Sequence, residues 1–288
     1  MGISFIHLVF VGSILSLFMG CGTIQPQGPL SFAGARWIYH PKGAVSYLNK
    51  QLNLLAPAIP SPTDKEVFAR YRKDGVAQWS TNWTANLDFT GVAWDSPRAG
   101  VLVHPRYVLF ASHFQRRTGE TLVFHDRTGR PHRRRLLKKK TIHRVGTPDV
   151  TVGQLDLPVP NSITHYAVLP PGYDYRLLNG AKFVVTDYAR RVHLFRINRV
   201  QQSGYEQVGG RKGIGTDIHS DWHKHLVPGD SGHPAFLVIQ GRLVLLSTLK
   251  GGGWASQGPF YGGPTLQNAI VRAIAVMEEP TKPLEQRS

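Results

Sequence analysis

The chain has 288 residues, of which 41% are hydrophobic and 18% charged, a composition that excludes a disordered chain and suits one large domain or two small ones. A total of 34 Lys and Arg against 18 Asp and Glu gives a net charge of +16, which favours anionic partners. The sequence contains neither paired zinc ligands nor an aromatic-rich ribonucleoprotein motif, so we expect no specific nucleic-acid binding. Cys21 is the only cysteine, which excludes an intramolecular disulfide.

The N-terminus has the pattern of a signal peptide over residues 1–20. This stretch carries no Lys, Arg, Asp or Glu, and its apolar run is too short for a comfortable membrane span. The Leu-Phe-Met-Gly sequence before Cys21 resembles a bacterial lipobox, although that pattern usually has a Lys or Arg near Met1. The resemblance implies a lipid anchor at Cys21 in the bacterial cell envelope, with Gly22 favouring the outer membrane. An uncleaved apolar N-terminus with an incidental cysteine, and a secreted protein, stay open as alternatives.

Residues 21–84 are predicted to form a tether, a linker and a short helix. Prolines recur through the first part, and the stretch 56–62 reads Ala-Pro-Ala-Ile-Pro-Ser-Pro, which is typical of a linker. Thr63 and Glu66 then have the spacing of a capping box, and apolar residues follow them. This pattern predicts a short amphipathic helix from Thr63 to about Lys73.

Residues 85–277 read as an all-β domain with a helix at its end. Short apolar runs separated by turns predict ten or more strands, and hence an antiparallel sandwich or a pair of barrels. The runs are 89–94, 100–103, 107–111, 121–125, 136–145, 150–157, 181–185, 192–200, 235–239 and 243–248. The Gln240-Gly241 pair predicts a hairpin. Apolar residues at a 3.6-residue period predict a helix over 266–277, and residues 278–288 are predicted to be a tail.

The stretch from Pro228 to Pro234, Pro-Gly-Asp-Ser-Gly-His-Pro, places a hydroxyl in a turn rich in glycine. Gly229 and Gly232 permit backbone angles that other residues rarely adopt, so the amides of Gly229 and Ser231 can converge beside the hydroxyl as an oxyanion hole. Ser231 is therefore a candidate catalytic serine. An ordinary surface turn is the alternative, since these residue types are common in turns.

A serine nucleophile needs a histidine base and a group that orients the histidine. Among the 13 histidines, His113 follows a strand, turn, strand pattern and a small-residue step, at the mouth of a predicted hairpin. Asp149 opens an apolar strand where its carboxylate can be partly buried. His113 and Asp149 are therefore the candidate base and acid.

At these residues the sequence resembles the chymotrypsin/trypsin-like serine protease family over about 87–277, with the His, Asp and Ser motifs in the family's order. The resemblance implies two antiparallel six-stranded β-barrels with a C-terminal helix. It implies peptide or protein substrates, no cofactor and no metal. Ser231 would be the nucleophile, His113 the base, Asp149 its orienting acid, and the amides of Gly229 and Ser231 the oxyanion hole. His225, six residues before the nucleophile, and Ser247 would contact the substrate, and a basic His225 would suit an acidic side chain.

The chain departs from the family around the same turn. It lacks the family's stapling disulfides, and no Ile-Val-Gly-Gly-like activation sequence precedes Gly100, so Asp230 must find a partner other than a new N-terminus. We therefore expect activity without proteolytic cleavage near Arg98. His233, where the family usually has glycine, is expected to narrow one side of the site.

Two further interpretations compete with the peptidase. A non-catalytic scaffold lipoprotein could use the same fold to bind peptides. Alternatively, the charge could serve binding of nucleic acid or an acidic polymer, which salt would weaken steeply. The basic run 132–140 is interpreted as a solvated strand edge, or as a surface lying against anionic lipid head groups.

Overall fold

The computed structural model describes residues 29–34, 43–142, 149–171, 173–202, 206–211, 220–251 and 256–279. The predicted signal peptide, the lipidation site at Cys21 and most of the predicted tail lie outside these residues. Within the described part of the chain, no helix has the length and apolar character needed to cross a membrane.

The fold is mostly β, with fifteen strands in the described residues. They are β1 (Phe68–Arg70), β2 (Gln78–Trp79), β3 (Val92–Ala93), β4 (Gly100–His104), β5 (Tyr107–Ala111), β6 (Thr121–His125), β7 (Pro131–Ile142), β8 (Val150–Leu155), β9 (Ala167–Val168), β10 (Lys182–Thr186), β11 (Val192–Gln202), β12 (Glu206–Arg211), β13 (Pro234–Ile239), β14 (Arg242–Thr248) and β15 (Ser256–Pro259). Two α-helices in the same residues, α1 (Ala44–Leu55) and α2 (Pro264–Glu278), pack on the sheets. Each of the ten predicted runs overlaps one strand.

The first large sheet is a nearly closed antiparallel barrel with the strand order β3-β4-β5-β8-β7-β6. Its inward side chains form a core of their own, which includes Leu102, Phe110, Leu122 and Leu136, all fully buried. β7 pairs with β6 through its first half and with β8 through its second half. The basic run 132–140 therefore lies in a paired strand at a corner of the barrel.

The second large sheet has seven strands in the order β15-β12-β11-β10-β13-β14-β9, one more than the six-stranded barrel that the sequence predicts. The additional strand is β9, which pairs parallel to β14. β9 and β15 are two and four residues long, too short to produce an alternating apolar pattern. The core of this sheet includes Phe183, Phe195, Leu237 and Phe260.

Two local predictions are confirmed in the C-terminal half. Gln240 and Gly241 both have positive φ, 54° and 71°, as a two-residue hairpin between β13 and β14 requires. α2 covers the predicted 266–277 helix and buries the predicted apolar face, including Leu266, Ile270 and Met277. It packs on β7 and β8, so the last described helix closes the first barrel.

The residues before 85 are part of the packed body, which corrects the tether interpretation for the described residues. α1 buries Ala44, Leu48 and Leu52 and packs on β10 and β13 of the second sheet. Further along, Val67 and Trp83 belong to the large core cluster. This apolar surface is buried because the segment lies across both sheets.

The predicted helix from Thr63 to Lys73 is wrong. The chain makes one 3-10 turn, Pro62–Lys65, and then enters β1. The cap forms two residues earlier than predicted, where the Ser61 amide donates to the Asp64 carboxylate at 2.6 Å. Phe68 is drawn into a strand because its ring stacks on Trp79 of β2, with centroids 4.3 Å apart. Packing between distant residues overrides the local helix signal here.

Candidate active site

Ser231 lies in the turn that leads into β13. Gly229 and Gly232 have φ of 104° and 84°, a region that favours glycine, so the turn depends on both. The Gly232 amide donates to the carbonyl of Leu249 at 2.9 Å, which fixes the turn against the end of β14. Among the described residues, no acceptor pairs with the amides of Gly229 and Ser231. Both are free to donate to a bound oxyanion.

His113 sits in a one-turn 3-10 helix, Ser112–Phe114, directly after β5. Its Nε2 is 2.9 Å from the Oγ of Ser231. The imidazole side chain is 48% exposed, so one face is open to a ligand. The predicted hairpin therefore places His113, at the end of a strand of the first barrel, beside Ser231 of the second sheet.

Asp149 immediately precedes β8 and completes the cluster. Its Oδ2 lies 2.6 Å from His113 Nδ1, and its Oδ1 accepts the His113 backbone amide at 2.9 Å. The residue is 6% exposed and adopts φ 56°, which Asp tolerates better than most residues. Two hydrogen bonds to one carboxylate fix both the ring and the backbone of the histidine.

The arrangement can move a proton from the serine. With its proton on Nδ1 facing Asp149, the His113 ring presents a lone pair on Nε2 to the Ser231 hydroxyl; this tautomer is inferred from the hydrogen bonds. Removal of the hydroxyl proton would leave an imidazolium beside a buried carboxylate, which stabilises the positive charge. The structure thus brings together the three candidate residues, although Asp149 and Ser231 lie 36 and 118 positions after His113 in the sequence.

Asp230 is expected to need a partner other than a new N-terminus, and it pairs with Lys224. The Asp230 side chain is fully buried, and its Oδ1 accepts the Lys224 ammonium at 2.9 Å. The same ammonium donates to Asp187 Oδ2 at 2.7 Å, and His193 Nε2 lies 3.0 Å from that oxygen. Sequence reasoning missed Lys224, Asp187 and His193, since nothing in their spacing links them.

Contrary to the expectation from the sequence, His233 does not narrow the site. It is 1% exposed and lies against Trp94, with ring centroids 6.0 Å apart. Burial lowers the pKa of His233 to about 4, so the imidazole is neutral near pH 7.

The two predicted substrate-binding residues differ in position. His225 is exposed, between Lys224 and the buried Leu226. Ser247 is buried inside the second sheet, and its hydroxyl donates to the Thr248 carbonyl at 3.1 Å. A substrate contact through the Ser247 hydroxyl is therefore not supported, while His225 stays a prediction. No group of three or more His, Cys, Asp or Glu that could hold a metal occurs within the described ranges.

The fold and site define a mostly β protein with a serine, a histidine and an aspartate joined across two sheets. No protein-family model matches the sequence, and no curated protein matches it. Two similar solved structures are human heparin binding protein and a mutant of it. The mutant has a TM-score of 0.48 and 13% identity, over 68% of this chain and 95% of that chain. For the other structure the TM-score is 0.46 and the identity 14%, over 66% of this chain and 96% of that chain.

Proposed function

We propose that the chain is a serine endopeptidase that hydrolyses peptide bonds through an acyl-enzyme. The observation that carries the proposal is the continuous line of hydrogen bonds from Ser231 Oγ to His113 Nε2 at 2.9 Å, and from His113 Nδ1 to Asp149 at 2.6 Å. Both distances fall within the range for a nucleophile, its base and the group that orients the base.

In the proposed reaction, Ser231 Oγ attacks the scissile carbonyl carbon while its proton passes to His113 Nε2. The carbonyl oxygen takes the negative charge and accepts hydrogen bonds from the amides of Gly229 and Ser231. When the C–N bond breaks, His113 gives the proton to the leaving amine, and an ester joins the acyl group to Ser231. Water then attacks this ester, His113 takes the water's proton and returns it to Ser231, and the acid product leaves.

Exposure supports access to the cluster. The imidazole of His113 is nearly half exposed, whereas Asp149 behind it is buried. A substrate can therefore approach the reacting atoms from the solvent side, while the acid that orients the base stays shielded from water. Shielding strengthens the interaction between Asp149 and an imidazolium.

A fluorophosphonate probe tests the proposal, because it phosphonylates activated serines. We expect the full chain to be labelled, Ser231→Ala to be unlabelled, and His113→Ala to be labelled at a greatly reduced rate. Ser220→Ala, which removes an exposed hydroxyl, is the matched control and should be labelled like the wild type. A folded wild type that stays unlabelled would favour the non-catalytic, peptide-binding scaffold.

We propose an acidic side chain before the scissile bond as the substrate preference, on the basis of His225, which is exposed close to the nucleophile in sequence. Protonation of this histidine would strengthen the attraction. A peptide library tests it: we expect cleavage after Glu to exceed cleavage after Phe and Lys, and the excess to shrink in His225→Gln. Equal cleavage after all three would remove His225 from substrate selection.

A further inference from the structure

A buried ion cluster lies directly beneath the nucleophile turn. Asp230 precedes Ser231, and both of its carboxylate oxygens are hydrogen bonded: Oδ1 to the Lys224 ammonium at 2.9 Å, and Oδ2 to the Val227 amide at 2.8 Å. The Tyr188 amide also donates to Oδ1, at 3.3 Å. The side chain between the two proposed oxyanion donors is thus held from three directions.

Lys224 is shared by two buried carboxylates. Its ammonium is 2.7 Å from Asp187 Oδ2, and the Asp187 side chain is only 2% exposed. Burial raises the pKa of Asp187, but the hydrogen bonds and charges of His193 and Lys224 outweigh it, so the pKa of this carboxyl lies well below its ordinary value. The Asp187 carboxylate is therefore charged near neutral pH, and a buried charge requires a partner. Lys224 is the cation that pairs with both Asp187 and Asp230.

The segment that carries Lys224 is anchored to the N-terminal part of the chain. Trp222 is buried, its indole Nε1 donates to the carbonyl of Pro57 at 3.0 Å, and its ring meets Trp83 edge to face with centroids 5.4 Å apart. At the other end of the cluster, Arg191, whose amide donates to Asp187, pairs with Glu66 at 2.9 Å. The N-terminal segment therefore fixes both sides of the cluster.

The geometry of the turn depends on where the Asp230 side chain is held. The two proposed oxyanion donors are the amides of Gly229 and Ser231, which flank Asp230 in the chain. If the carboxylate lost its cation and moved toward water, the peptide planes on either side of Asp230 would rotate with it. Gly229, at φ 104°, imposes little resistance to such a rotation.

We propose that Lys224 is a positioning residue, an internal counter-ion that keeps the oxyanion turn formed in the uncleaved chain. The proposal rests on the serine hydrolase function proposed above, and it adds how that site is kept competent. In this role Lys224 acts through Asp230. The chain thereby supplies from within the positive charge that its turn needs.

The test compares Lys224→Met with Lys182→Met in the full chain. Lys182 is a buried lysine whose ammonium donates to Asn53 at 2.7 Å, and it lies on β10 rather than in the segment that carries Lys224 and Asp230. We expect Lys224→Met to lower the second-order rate of fluorophosphonate labelling by about 100-fold or more, the loss typical of a missing oxyanion donor. Lys182→Met, at a temperature where both variants are folded, should label at the wild-type rate. Lys224→Arg, which keeps the cation, should recover part of the rate.

Folding and function are separated by two further measurements. Should Lys224→Met fail to fold, the double variant Asp187→Asn, Lys224→Met removes one of the two uncompensated charges, and we expect it to fold yet label slowly. Hydrogen–deuterium exchange of the peptide 226–232 should be faster in that variant than in Lys182→Met, which is a readout that does not need activity. Labelling within threefold of wild type, or unchanged exchange, would overturn the proposal. An unlabelled wild type with the expected exchange difference would instead count against the hydrolase function alone.

Discussion

Replacement of Asp149 by Asn tests the roles of the site residues with little change in shape. The carboxylate accepts two hydrogen bonds from His113, from the ring at 2.6 Å and from the backbone amide at 2.9 Å. An Asn can keep the second bond through its carbonyl oxygen, but its NH₂ group then faces the ring and donates to Nδ1. The ring proton is forced onto Nε2, which can no longer accept the Ser231 hydroxyl.

The expected loss follows from this reversal of the tautomer. A triad whose histidine is held in the wrong tautomer loses about 10⁴-fold in kcat, which corresponds to about 5 kcal/mol of transition-state stabilisation. The free energy of unfolding should change far less, because Asn tolerates the φ of 56° that this position requires. Asp149→Ala, in contrast, should also destabilise the fold by about 1–2 kcal/mol, since Ala does not tolerate this φ.

The assay is kcat/KM on a chromogenic peptide ester, with urea unfolding of the same samples. We expect Asp149→Asn to be folded as stably as wild type to within about 1 kcal/mol and to lose most of its activity. Retention of more than a tenth of wild-type kcat/KM in the Asn variant would refute the assignment of Asp149 as the residue that orients His113.

Three further predictions concern stability and activation. His233 has a pKa of about 4 in the folded protein against 6.5 ordinarily, so as pH falls from 6.5 to 4 the unfolded chain binds a proton that the folded one does not. The free energy of unfolding should therefore drop by about 3 kcal/mol over this window. In urea unfolding, His233→Leu should remove most of this drop. An unchanged pH dependence in the variant would contradict this. Gly129→Ala should lower the free energy of unfolding more than Gly119→Ala, since both glycines have positive φ but only at Gly129 would the added methyl clash with a backbone oxygen, that of Ala77. Equal losses in the two variants would show that the turn at Gly129 relaxes. The uncleaved chain should react with a fluorophosphonate as fast as the chain cleaved near Arg98. Labelling that occurs only after this cleavage would show that the enzyme needs proteolytic activation.

The sequence predicted the parts of the fold that local chemistry determines. The hairpin at Gln240-Gly241 and the helix α2 follow from turn preference and apolar period, and both are present. The helix predicted from Thr63 failed because the same apolar residues also suit a strand, and the contact between Phe68 and Trp79 decides between the two. Such a contact cannot be read from a local window.

The same division holds at the candidate site. Ser231, His113 and Asp149 could be selected because each lies in a recognisable turn or strand end, and the structure brings the three together. Lys224 could not be selected, because its importance comes from two carboxylates that approach it only in the folded chain. Likewise the burial of His233 could not be predicted, because its contact with Trp94 forms only in the folded chain.

The most direct measurement of the central claim is the burst of leaving group released from a chromogenic peptide ester by a known amount of protein. A serine acyl-enzyme predicts a rapid burst of one equivalent per chain, with the acyl mass recovered on the peptide that contains Ser231, and no burst in Ser231→Ala. Release without a burst in both proteins, or an acyl group on another residue, would contradict the assignment of Ser231 as the nucleophile.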